Sequence, residues 1–193
     1  MLFARSDAGF AAVQKASKQG YEFSDQWTLP GGMIRGAYDL DAPRPHIVEE
    51  LAQRAHAEAG LQPQVADLTA GLGPVVTSYT VADVRRFTLV AAFEQDLVSR
   101  PALKSSDRSI QAARWMPCST DLRAFAPGNC VIIGHILWPR LEVAHQNAAR
   151  DPIAKAVETC ADWSRQVGVA PPPPPWAPHS VIEKWSRSWP EGL

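Results

Sequence analysis

The chain has 193 residues, 46% of them hydrophobic, which is enough for one domain of ordinary size with a real core and an appendage. Its 19 basic and 20 acidic residues leave a net charge of -1, which excludes a nucleic-acid footprint and a cationic membrane-surface patch. Cys118, Cys130 and Cys160 are odd in number and widely spaced, so they form neither a disulfide framework nor a zinc site.

No window reaches the roughly eighteen apolar residues of a membrane span, and MLFARSDAGF lacks the apolar stretch of a signal peptide, so a cytoplasmic protein is expected. LFAR at 2–5 reads as the end of a strand. With little chain ahead of it, that strand would be a sheet edge needing cover from upstream sequence, a partner or the tail. Residues 6–26 read as a long surface loop in which AAVQKASKQ forms a helical turn or two, ended by Gly20.

WTLPGG at 27–32 is a turn of the kind that brings backbone groups close to a phosphate or a metal. Asp39 and Asp41 favour turns in the irregular stretch that follows. Pro43 and Pro45 suit a helix entrance, and a helix is expected from His46. It places Ile47, Leu51 and Ala55 on one face and Glu50, Arg54 and Glu58 on another, with Gly60 as its left-handed cap. On their own the three charged residues read as an exposed ladder in which Arg54 and Glu58 pair.

VVTSYTV and RRFTLVAAF predict an antiparallel hairpin turning at Ala82 and Asp83. A polar loop, EQDLVSRPALKSSDR, then leads to a short strand in SIQAARWMP. NCVIIGHILW predicts a buried helix with Asn129 as N-cap, and His135 within it is a core side chain, whereas His56 belongs to the surface. LEVAHQNAAR and AKAVETCADWSRQVG read as two helices parted at Asp151 and Pro152. Pro171–Pro175 form a polyproline II spacer rising about 3.1 Å per residue. Beyond it, SVIEKWSRSW carries a capping box, Ser180 to Glu183, and an apolar stripe of Ile182, Trp185 and Trp189. A helix so short is unstable alone and is expected to dock on its own domain or on a partner, including a second copy of the chain.

The order of strand, WTLPGG, a helix closing in RAHAEAGL, a hairpin, a strand ending in ARWMP and a final apolar helix resembles the Nudix hydrolase family over about residues 1–145. The resemblance implies an α/β fold, an α/β/α sandwich around a mixed sheet, followed by a helical, proline-rich extension over 146–193. The family box, G-x5-E-x7-R-E-U-x-E-E-x-G-U with U aliphatic, supplies helix glutamates that hold Mg²⁺ or Mn²⁺ against a diphosphate. Hard cations need carboxylate oxygens, and glycines let a backbone carbonyl approach the same ion.

Carried over, Gly32 takes the opening glycine, Gly60 the closing one and Leu61 the final aliphatic, with about seven extra residues before the helix. Glu58 falls on the second glutamate of the E-E pair, Ala57 on the first, Arg54 on the glutamate of the R-E pair and Gln53 on its arginine. Glu94, Asp96 and Asp107 lie where the family often adds a further acid, and Ser109 stands nearest its position. The resemblance therefore implies Glu58 as catalytic residue and metal ligand, Gly31 and Gly32 as backbone ligands, and Arg54 as a phosphate contact. Two functions follow. One is a pyrophosphohydrolase of nucleoside diphosphates linked to another group; the other is a non-catalytic domain that binds a nucleotide or a protein.

Overall fold

The computed structural model describes residues 1–7, 9–17, 24–32, 43–64, 68–70, 72–81 and 84–188. Asp39, Asp41, Gly20, the Ala82–Asp83 turn and Trp189 lie outside them. The fold is a mixed sheet between helices. The strands are β1 (Leu2–Ser6), β2 (Gly9–Lys15), β3 (Trp27–Thr28), β4 (Thr69–Ala70), β5 (Val75–Val81), β6 (Val84–Val90), β7 (Phe93–Asp96) and β8 (Ile110–Met116). The helices are α1 (Pro43–Ala59), α2 (Pro127–Leu137), α3 (Val143–Val167) and α4 (His179–Ser186).

In the main sheet the order is β3-β2-β1-β7-β4, with β8 also on β2. Val13 pairs with both Thr28 and Ala113, and Phe10 with both Arg5 and Met116. One edge of β2 is therefore shared by β1 and β3 while the other belongs to β8. The expectation that LFAR forms an exposed edge is corrected. β1 is antiparallel to β2 on one side and parallel to β7 on the other, with Leu2 opposite Phe93 and Arg5 opposite Asp96. Beyond Phe93, β7 falls in a stretch read as loop, and β2 in one read as loop and helical turn. Both are strands because buried neighbours on either side complete their ladders.

Side chains alternate across β1 and β2. Phe3, Phe10 and Ala12 face one core with Val75 and the α2 and α3 residues Val131, Ile132 and Ile153. Leu2, Ala4, Ala11 and Val13 face the other, with Val48, Leu51, Ala55 and Ala59 of α1. β5 and β6 form the expected hairpin, paired only with each other among the described residues.

α1 begins at Pro43 rather than His46, and its first turn takes the two prolines at positions that need no N–H donor. Asn129 is not the cap of α2. Ala126 is, with Pro127 at the first helical position, while the Asn129 side chain accepts a hydrogen bond from the Leu29 N–H at 2.8 Å. Pro152 does not divide two helices. α3 runs through it because Ile153, Ala156 and Cys160 bury one stripe in the core, and that packing outweighs the proline penalty. Gly134 of α2 leaves room for this: a Cβ there would stand 3.0 Å from Ile153 Cδ1.

The proline run is packed rather than free-standing, with Pro172 and Pro175 buried and the Pro173 carbonyl 2.8 Å from His135 Nε2. α4 starts at His179 behind Pro178, so the Ser180 capping box does not form. Trp185 reaches the core beside His135, its ring centroid 5.0 Å from the imidazole, and Ile182 packs at the margin. Trp176 packs tilted against Trp138, their ring centroids 4.9 Å apart, with the Arg150 guanidinium 4.6 Å from the Trp176 centroid.

Candidate functional site

The site lies where the C-terminal half of α1 meets the end of β2 and the turn after β3. Glu58 sits on the face of α1 turned toward the sheet and is only 3% exposed. A carboxylate so deeply buried requires partners, and it has two. Oε1 accepts from the Lys15 ammonium at 2.7 Å, and Oε2 accepts from the Gly31 N–H at 3.0 Å. The expected surface ladder is therefore corrected. Arg54 pairs with Glu50 at 3.6 Å, one turn earlier, while Glu58 faces inward to an ion pair between elements.

Gly31 has φ +143°, open to glycine, and a Cβ on it would stand 2.9 Å from Met1 Cα. The WTLPGG turn is thus folded hard against the start of β1, where the Leu2 N–H bonds the Pro30 carbonyl at 2.8 Å. The stem of Arg54 lies across Gly32, whose Cβ would be 3.2 Å from Arg54 Cδ. The structure brings Gly31, Gly32, Arg54 and Glu58 together, Glu58 through the Gly31 amide and Arg54 through its stem beside Gly32.

Lys15 is the member that sequence reading missed. The stretch GFAAVQK is a strand, and Lys15 follows Ala11 and Val13 on the face turned to α1. Its backbone is fixed on both sides: its N–H bonds the Gln26 carbonyl at 3.1 Å and its carbonyl takes the Asp25 N–H at 3.2 Å. The short continuous apolar run ahead of it, Phe10 to Val13, was the available signal.

The segment 104–109 closes the end of α1. The N–H groups of Lys104, Ser106 and Asp107 bond carbonyls of Ala59 and Ala57, satisfying groups that a helix terminus leaves open. Gly60, at φ +72°, allows this approach, since a Cβ would be 2.9 Å from the Lys104 carbonyl oxygen. Asp107 is held below the usual carboxylate range. The Ser109 N–H is the largest cause, desolvation opposes it, and the charges of Lys15 and Arg54 add to the lowering. Asp96 instead forms a two-pronged bond with Arg5 at the adjoining ends of β1 and β7.

The described residues do not fit a divalent cation held in the manner of the Nudix box. Both Glu58 oxygens are engaged, the nearest charged side chain one turn back is the Arg54 cation, and no three potential ligands cluster among the described residues. What the arrangement offers is two cations, Lys15 and Arg54, beside a glycine turn, with Glu58, Glu50 and Asp107 as counter-charges. Guanidinium and ammonium groups both bind phosphate oxygens.

The sequence matches no protein-family model and no curated protein. Solved structures match it by shape. A MutT protein from Methanosarcina mazei superposes with a TM-score of 0.51 at 12% identity, covering 73% of this chain and 92% of that one. The Nudix domain of Shewanella oneidensis NrtR, solved with ADP ribose, gives 0.51 at 16% identity over 72% of this chain and 84% of that one. A bifunctional NMN adenylyltransferase/ADP ribose pyrophosphatase from Francisella tularensis, solved with AMP and a manganese ion, gives 0.50 at 17% identity over 72% of this chain and 40% of that one. The chain has the Nudix fold. No described helix is long and apolar enough to cross a membrane.

Proposed function

We propose that this chain binds a nucleoside diphosphate linked to another group without hydrolysing it by metal-assisted chemistry. One observation carries the reading: both oxygens of Glu58, the only glutamate retained at the three carboxylate positions of the helix, are engaged by Lys15 and Gly31. Phosphates are then met by Arg54 beside the Gly31–Gly32 turn, while Lys15 and the Gly31 N–H hold Glu58. The NrtR domain with its ADP ribose supports that ligand class by fold-level analogy alone. The competing reading, a pyrophosphohydrolase with Mg²⁺ or Mn²⁺ on Glu58, requires Lys15 to vacate the carboxylate or acids from elsewhere to complete the ligand set.

The test is calorimetric titration with ADP-ribose in EDTA and again in Mn²⁺, with chromatography of the mixture for AMP. The expected result is binding in EDTA and no AMP under either condition. Steady AMP formation that depends on Mn²⁺ overturns the reading in favour of the hydrolase.

A further inference from the structure

Lys15 is not an ordinary surface lysine. Its side chain is 17% exposed and that of its partner Glu58 is 4% exposed, so the pair is largely shielded from solvent. A break in register with β8 falls at the Gln14–Lys15 step, where Lys15 pairs with Ile110 after Gln14 has paired with Ala112, leaving Gln111 as the extra residue. Such irregularities re-aim the side chains beside them. The next residue is tied as well, its N–H bonding the Ser109 carbonyl at 2.8 Å, so the segment that carries Asp107 is anchored to the same point.

From this geometry we infer that the Lys15 ammonium is a tethered replacement for the divalent cation of the Nudix site, neutralising Glu58 permanently and excluding metal from it. An ion bound to Oε1 would need the space and the lone pairs that Nζ already uses, and its own charge would be repelled by the ammonium. Arg54 adds a second fixed cation where the family box has a carboxylate. Insofar as the chain binds a diphosphate, this inference deepens that reading: Lys15 is committed to Glu58, so the cation left to meet a phosphate is Arg54, which is covalent to the chain and indifferent to chelators.

The experiment uses Mn²⁺ alone, so it is independent of any nucleotide. Mn²⁺ affinity is measured by calorimetry and electron paramagnetic resonance on the full chain, on Arg54→Glu, and on Arg54→Glu combined with Lys15→Met. Arg54→Glu restores a box carboxylate one turn from Glu58 and is expected to bind Mn²⁺ no better than the parent, because Lys15 still holds the site. The double variant is expected to bind at least tenfold more tightly than Arg54→Glu. Combining Arg54→Glu with Lys15→Arg, which keeps the charge, should bind no better than Arg54→Glu itself.

Tight Mn²⁺ binding by Arg54→Glu alone overturns the inference, as does a folded double variant without a gain in affinity. If the double variant does not fold, Arg54→Glu decides: no gain supports the exclusion, and a gain refutes it. Failure of ADP-ribose to bind would remove the proposed ligand and leave this result standing.

Discussion

His135 of α2 and Pro173 of the proline run meet at 2.8 Å, Nε2 to carbonyl oxygen, and this bond ties the strap to the helix beneath it. A carbonyl only accepts, so the geometry assigns a proton to Nε2. Burial pushes the imidazole pKa from 6.5 down to about 4, with the Pro173 bond opposing. The folded-state value is depressed, so stability from this group is full above the unfolded value of 6.5 and declines as the pH falls toward 4. A shift of that size corresponds to about 3 kcal/mol. Urea unfolding of the parent and His135→Asn between neutral and acid pH should show the parent losing about that much more stability across the window. Parallel curves would show that the ring does not lose protection on protonation.

Trp185 anchors the terminal helix. It is 4% exposed and lies against the His135 ring. Trp185→Ala should cost about 3 kcal/mol and release α4. Hydrogen exchange checks this: amides across 179–188 should be protected in the parent and exchange rapidly in the variant. Rapid exchange in the parent would mean that the helix does not dock.

Glu58→Gln keeps an acceptor for the Gly31 N–H but removes the charge opposite Lys15. A loss of about 1 to 3 kcal/mol is expected, because one member of a shielded pair is left alone. Denaturation midpoints at unchanged slope measure it. A variant as stable as the parent would indicate that the ion pair adds nothing.

Gly31→Ala tests the turn. Its φ of +143° disfavours a side chain, and the added Cβ would meet Met1 Cα at 2.9 Å. Strain of about 1 to 3 kcal/mol is expected, together with displacement of the turn that holds Glu58. Thermal unfolding and the amide signal of residue 31 report both effects. Unchanged values would show that the turn relaxes freely.

Local rules carried much of the fold. The helix ending at Ala59 with Gly60 behind it, the β5–β6 hairpin and β8 each announce themselves by periodicity and by punctuating glycine or proline. β2 did not, because GFAAVQK is apolar on both faces, the mark of a strand buried on two sides and easily confused with a helix. Lys15 was lost with it. Pro152 misled in the opposite direction, since tertiary packing of Ile153 and Cys160 overrode a local breaker. The partners of Glu58 lie 43 and 27 residues away along the chain, beyond the reach of helical spacing, which suggested Arg54 instead.

The parallel pairing of Leu2 with Phe93 also bears on biogenesis. The Leu2–Ser6 strand is flanked in the finished sheet by one synthesised some ninety residues after it. At typical translation speeds that interval is roughly 5 to 20 seconds, during which the nascent Leu2–Ser6 segment has one unfilled side. Only when Phe93–Asp96 emerges can the ladder on that side close.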